Sequence, residues 1–360
     1  MVVLLLSSCI LTFLGTVLIL KKLIPMLMSK KMNQPILEIG PRWHKNKSRT
    51  PTLGGLSFIL AALASSLLIG TVCCALSGRT AFDALLPYLI TLAYAAASGL
   101  IGVLDDRQKL LHKSNEGGLT PLQKYLLQLL TAVLYLAALR LTGFLSTELY
   151  IPFWKHTVDL GFFYYILAVL LLTGVVNAVN LTDGIDGLAS TLTAVTSAYY
   201  AFRSAVTGSQ PLGLASGCTM GGVLGFLVYN FYPARIFMGD TGSLFLGAMV
   251  AGMAFLDGNP LFVLLTGFVF IAETASVIIQ TLFYKFTRIV LKKPKRFFAM
   301  TPLHHHFEHK AQPDRPAVLQ GHEWSEIKIV SVFAVTAAVI ILLAAGIDGL
   351  IPAPFVYIGF

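Results

Sequence analysis

Charge is what this chain of 360 residues lacks: Asp, Glu, Lys and Arg make up only 12% of it, against roughly 25% in soluble domains. That supply does not cover a water-facing globular surface, so soluble enzymes and soluble binding modules are excluded. Cysteine is scarce as well. Cys9, Cys73, Cys74 and Cys218 all lie inside apolar runs without metal-ligand spacing, which excludes a disulfide scaffold or a zinc ribbon and leaves four small buried hydrophobes. A GxxxxGK[ST] phosphate loop is missing. The basic residues are spread over short loops rather than gathered on one domain, which argues against nucleic acid as a partner. The first apolar run has no basic stretch before it and no small-residue cleavage site, and reads as a retained span.

What the chain does have is apolar length. Hydrophobic residues make up 56% of it and the mean hydropathy is +0.76. Runs able to cross a ~30 Å hydrocarbon core as helices lie near 2–20, 53–77, 82–104, 121–142, 161–180, 185–207, 212–231, 241–258, 260–284 and 328–350. The expected fold is an all-α polytopic membrane protein of about ten transmembrane helices, with residues 1–360 forming one integral-membrane domain. The insert from Phe144 to Asp159, with Tyr150, Ile151, Phe153 and Trp154 near a proline, suits a short hairpin or an aromatic-anchored interfacial segment.

The cations fix an orientation. Ten spans place eight Lys/Arg in the loop after the first span, four after the third, one after the seventh and nine around the loop after the ninth. The opposite side keeps only Arg79, Arg140, Lys155 and Arg203. The positive-inside rule makes the crowded side cytoplasmic and puts both termini outside. The net charge of +9 follows from this asymmetry and suits anionic headgroups and an anionic substrate.

Hydrocarbon penalises carboxylates, yet acidic, glycine-flanked segments recur on that same side. Asp105-Asp106 closes the third span and is followed by Lys109, Lys113 and Lys124. An interfacial helix end accounts for one such charge, whereas paired carboxylates followed by lysines suit phosphate handled together with a divalent metal. Asn180-Leu-Thr-Asp183-Gly-Ile-Asp186-Gly187 carries more acceptors than one helix cap requires. Asp240 and Thr241, after Asn230 and Phe237, precede a helix N-terminus, where the alternative is a plain N-cap. His304-His305-His306 cannot all face one metal from a regular helix, so a three-histidine zinc site is excluded, while histidine suits phosphate. Lys47-Ser-Arg49-Thr-Pro-Thr52 offers cations and hydroxyls before a Gly-Gly step. Glu273 lies inside a span and must face the protein interior; the run Ala272–Gln280 is the expected place for a bent or interrupted ninth helix.

Taken together, NKSRTPTLGG, GVLDDRQK, NAVNLTDGIDGLA, NFYPARIFMGDTGSL and TPLHHHFE resemble the polyprenyl-phosphate N-acetylhexosamine-1-phosphate transferase superfamily over nearly the whole chain. The triple histidine preceded by Pro-Leu is similar to its bacterial peptidoglycan branch. The resemblance implies transfer of phospho-MurNAc-pentapeptide from UDP-MurNAc-pentapeptide to undecaprenyl phosphate at the cytoplasmic leaflet of the bacterial plasma membrane. It further implies lipid I and UMP as products, a requirement for Mg²⁺, and a homodimer. It implies Asp240 as Mg²⁺ ligand, and Asp105 as the residue that deprotonates or orients the lipid phosphate, with Asp106 assisting. Lys47, Thr52, Asn180, Asp183, Asp186, Asn230 and Phe237 would line the uridine and diphosphate pocket, with Phe237 stacked on uracil. Lys109, Lys113 and Lys124 would attract phosphate. His304, as a catalytic residue, with His305 and His306, would hold phosphate or sugar–peptide groups. Direct attack and a two-step route through a phospho-aspartate both remain open. Two rival readings are a sister transferase using another UDP-N-acetylhexosamine and a secondary transporter. The latter expects inverted repeats and midplane binding groups, which the sequence does not display.

Overall fold

The computed structural model describes residues 1–30, 50–77, 79–112, 117–309 and 317–348. Lys47 and Lys113, both expected at the site, lie outside the described residues. Ten long helices run through the described chain: α1 (Val2–Ser29), α2 (Gly55–Ser77), α3 (Arg79–His112), α4 (Pro121–Leu141), α5 (Phe162–Thr182), α6 (Leu188–Thr207), α7 (Gln210–Asn230), α8 (Gly239–Leu256), α10 (Phe268–Val290) and α12 (Glu326–Asp348). Two short helices complete the set, α9 (Val263–Thr266) and α11 (Leu303–Glu308). The insert between α4 and α5 is a hairpin, with β1 (Glu148–Ile151) antiparallel to β2 (His156–Asp159).

Nine of the ten long helices are also apolar enough to cross a membrane. The exception is α6, and its packing explains why. Ser190, Thr193, Thr196, Ser197, Arg203 and Ser204 of α6 are all buried, against α7, α12 and α8. Its polar groups bond inside the protein: Thr196 Oγ1 donates to the Thr266 carbonyl at 2.9 Å, and Arg203 Nε to Asp257 Oδ1 at 3.2 Å. A helix that meets protein rather than lipid on this face does not need a lipid-compatible composition.

The centre of the bundle is α8, in which every residue from Thr241 to Leu256 is buried. It packs chiefly against α3 and α5. Gly102 of α3 makes the first of these approaches possible, because a Cβ there would collide with the Asp240 carbonyl at the start of α8. Helix α1 buries Leu5, Ser8, Thr12, Thr16 and Leu20, a three-to-four-residue stripe laid on α7. Between α4 and α5, the amides of Gln128 and Asn177 pair through Asn177 Nδ2 to Gln128 Oε1 at 2.7 Å.

Two boundaries differ from expectation. Helix α3 continues past the expected end at 104 to His112, so Asp105 and Asp106 sit inside its last two turns. Lys109, four residues on, then folds back to Asp105. The ninth span is not a straight crossing over 260–284, and its break is not within Ala272–Gln280. A 3₁₀ turn over Pro260–Phe262 leads into α9, which ends at Gly267, and α10 then runs unbroken to Val290. At this break Thr266 is held by α6 through Thr196 and through Tyr200 Oη at 3.1 Å. Thr196 lies about 12 Å along α6 from its start at Leu188, so α10 begins partway down the bundle.

Candidate active site

The end of the bundle that receives the C-termini of α3, α5 and α7 and the N-termini of α2, α4, α6 and α8 gathers the acidic motifs around Asp240. This residue lies in the first turn of α8 and is not its N-cap. Its Oδ2 accepts from Lys109 Nζ and from Lys124 Nζ, each at 2.8 Å, and its Oδ1 accepts from Asn180 Nδ2 at 2.7 Å. Lys124 is set by the first turn of α4, closed by a capping box between Thr120 and Gln123. Asn180 stands in the last turn of α5 and also reaches Ser243 Oγ at 2.7 Å. Four helices thus meet at one carboxylate.

Asp105 and Asp106 play different parts. Asp106 is buried and turned onto the start of α8: its Oδ1 accepts from the Asp240 amide at 3.1 Å, and its Oδ2 from the Thr241 amide at 2.9 Å and the Thr241 hydroxyl at 2.7 Å. It is the carboxylate cap of α8, supplied from another helix, and it meets the positive end of that helix. Asp105 accepts from the Leu119 amide at 2.8 Å and pairs with Lys109 at 2.6 Å. Carboxylate oxygens of Asp105, Asp106 and Asp240 all lie within 4.8 Å of one another. This all-oxygen, hard donor set fits Mg²⁺. Two lysine ammoniums already stand against Asp240, so the site is built for concentrated positive charge.

Around this centre the expected residues divide. Thr52 is buried and lies against Gly239, next to Asp106. Phe237 is half-buried, and its backbone pairs with the segment before α2: the Phe237 amide donates to Pro51 O and its carbonyl accepts from Gly54, both at 2.9 Å. Asp183 follows α5 directly. Burial first, and then Asp240, Asp106 and Asp186, push its carboxyl up to about 8.

Asn230 and Asp186 are placed differently. Both are buried. Asn230 Nδ2 donates to Ile236 O at 2.9 Å, and Asp186 Oδ2 accepts from the Ala234 amide at 2.9 Å. The two side chains close the 230–236 loop that delivers Phe237 and Asp240.

The three histidines point three ways from α11. His306 is buried, accepts from the Ala299 amide at 3.3 Å and packs edge-on against Phe298; burial, with His322 and His309 nearby, holds it below the ordinary 6.5. His305 is half-buried and pairs with Glu308 at 3.2 Å. His304 is fully buried and pairs with Glu273, also at 3.2 Å. Glu273 is a residue to which the sequence assigned no role; its place within a span was the only signal.

A family model described as glycosyl transferase family 4 matches residues 88–257. The chain is similar to the phospho-N-acetylmuramoyl-pentapeptide-transferase of Halalkalibacterium halodurans, at 40% identity over 94% of this chain and 96% of that protein. The protein of the same name from Geobacillus kaustophilus is 42% identical over 89% of this chain and 91% of its own length. That of Staphylococcus carnosus is 39% identical over 90% and 93%.

Proposed function

Because the chain belongs to the phospho-N-acetylmuramoyl-pentapeptide-transferase family, we propose that its Asp240 centre transfers phospho-MurNAc-pentapeptide from UDP-MurNAc-pentapeptide to undecaprenyl phosphate. A phosphate oxygen of the lipid forms a bond to the β-phosphorus of the donor. The bond from that phosphorus to the bridging oxygen breaks, UMP leaves, and lipid I remains. The observation that carries this reading is the convergence on Asp240 of two lysines, an amide and two further carboxylates.

Phosphoryl transfer asks the protein for alignment and for positive charge against the phosphate oxygens. Lys109 and Lys124 supply that charge from α3 and α4. Asp240 and Asp105 would hold Mg²⁺, with Asp106 contributing less because its oxygens already serve α8. Bound there, the ion would neutralise charge developing on the diphosphate. Asp105, facing Lys109, is positioned to orient the lipid phosphate. Such a monoester is already largely ionised near neutrality, so orientation outweighs proton removal. Asp183 and Phe237 line the side for the nucleotide, and Phe237 is the candidate to stack on uracil.

The reading places this end of the bundle at the cytoplasmic face of a bacterial plasma membrane, where a membrane-borne phosphate and a cytosolic nucleotide meet. A homodimer is proposed on family resemblance alone, and sizing of the detergent-solubilised protein tests it. The activity is tested by UMP release from purified protein with undecaprenyl phosphate, Mg²⁺ and either UDP-MurNAc-pentapeptide or UDP-N-acetylglucosamine. Release with the pentapeptide donor only, abolished by a chelator, is expected. Release with the acetylglucosamine donor only moves the chain's substrate to that of a sister family.

A further inference from the structure

We propose that Glu273 is the positioning residue for His304, fixing which ring nitrogen faces the substrate; the proposal rests on the transferase reading above. Glu273 stands in the second turn of α10 and is 0% exposed. An unpaired carboxylate so placed is strongly disfavoured, so its partners define its purpose. Both its oxygens accept from the His304 backbone amide, at 3.2 and 3.4 Å, and Oε1 also faces the ring Nδ1 at 3.2 Å. A carboxylate is an acceptor only, so Nδ1 carries the hydrogen.

The other ring nitrogen is then the informative one. Nε2 of His304 is buried and has no hydrogen-bond partner among the described residues. It lies directly over Gly184, where any Cβ would collide with it. Gly184 lies in the turn that leaves α5 just after Asn180, whose side chain donates to Asp240 Oδ1 at 2.7 Å. The orphan nitrogen therefore faces the loop that leaves α5 beside the Asp240 centre. A buried polar atom without a partner is costly, and a ligand that reaches this loop supplies one. The ligand class is the diphosphate–sugar portion of a nucleotide-sugar donor, which carries both acceptor and donor groups.

A purely structural role for Glu273 is the rival account, and a neighbour on the same helix argues against it. Seven residues along the same face, Gln280 Oε1 accepts from the Phe297 and Phe298 amides, both at 3.0 Å. A neutral amide there clamps the other end of the same loop. Clamping backbone thus does not require a charge, whereas an ionised carboxylate, an acceptor at both oxygens, leaves a ring that faces it only one neutral tautomer.

The test uses the full-length purified protein and a double-mutant cycle. Glu273→Leu and Glu273→Gln are made in the natural sequence and in His304→Ala, and kcat and KM are measured by UMP release. Losing a group that orients another typically costs roughly 10–100-fold. Glu273→Leu is expected near the upper end in kcat, with KM for the lipid acceptor almost unchanged. Glu273→Gln, which keeps an acceptor oxygen, is expected near the lower end. In the His304→Ala background, Glu273→Leu is expected to remove nothing further, since the two act as one unit. Nitrogen-15 histidine spectra should show His304 protonated at Nδ1 in the natural protein and no longer so in Glu273→Leu; if the leucine variant does not fold, Glu273→Gln carries both comparisons. Equal losses in both backgrounds, full activity of Glu273→Leu, or Nε2 protonation with a bare Nδ1 in the natural protein would overturn the proposal. Absence of UMP release by the natural protein sinks the transferase reading instead, and the nitrogen spectra still decide the His304 assignment.

Discussion

Adjacent residues with the same side chain differ here in what they are for. Asp105 and Asp106 look interchangeable in the sequence, yet Asp106 accepts three hydrogen bonds from the start of α8, whereas Asp105 accepts from the Leu119 amide and pairs with Lys109. Asp106→Ala should therefore destabilise the fold by about 1–2 kcal/mol, the scale of a lost cap. Asp105→Ala, which leaves Lys109 still paired with Asp240, should lower the unfolding temperature less than Asp106→Ala while abolishing most activity; thermal unfolding in detergent beside UMP release separates the two. His306 makes a second residue-scale prediction. Its folded pKa is depressed, so its contribution to stability is complete above its ordinary 6.5 and is lost as pH falls through the lower folded value. Unfolding temperature should fall as pH drops below 6.5, and His306→Gln should flatten that dependence. The motif residues were legible in the sequence as chemistry, because carboxylates and histidines beside apolar runs are unusual. Their division of labour was not. Whether Asn230 lines a pocket or closes a loop depends on where Ile236 puts its carbonyl, and that is decided by tertiary packing.

At the scale of elements, composition marks lipid-facing helices well and protein-facing ones poorly. The spans at α4, α5, α7 and α8 were legible to within a few residues, since their apolar lengths match a bilayer. Helix α6 packs alongside the others but buries its polar residues against α7, α8 and Thr266, so hydropathy understates it. The interruption of the ninth span was expected around Glu273, the conspicuous charge. It occurs instead at Gly267, where α6 captures Thr266. The Arg203–Asp257 pair joins α6 to the end of α8 with both side chains nearly buried. Asp257→Ala removes the carboxylate that faces a nearly buried guanidinium and should cost roughly 3–5 kcal/mol, seen as a lowered unfolding temperature with catalytic residues untouched. A loss under 1 kcal/mol would mean that water or another acceptor already serves Arg203.

The whole molecule is organised by the meeting of two media. Apolar helices carry the chain across the membrane, and the residues that hydrocarbon rejects collect where those helices end on one side. In the sequence most Lys and Arg fall in the loops on that side, and the structure brings α3, α4, α5 and α8 to a common carboxylate there. The most direct test uses sealed vesicles containing undecaprenyl phosphate and the protein in one orientation, with UDP-MurNAc-pentapeptide labelled in its peptide. Label should pass into the lipid only when the donor is on the side bearing the α10–α12 connection. Asp240→Asn, folded to the same unfolding temperature, should lower that transfer by at least the roughly 10²–10³-fold typical of a lost electrostatic group. Undiminished transfer by Asp240→Asn, or transfer from the hairpin side, would contradict the placement of the reaction at this centre.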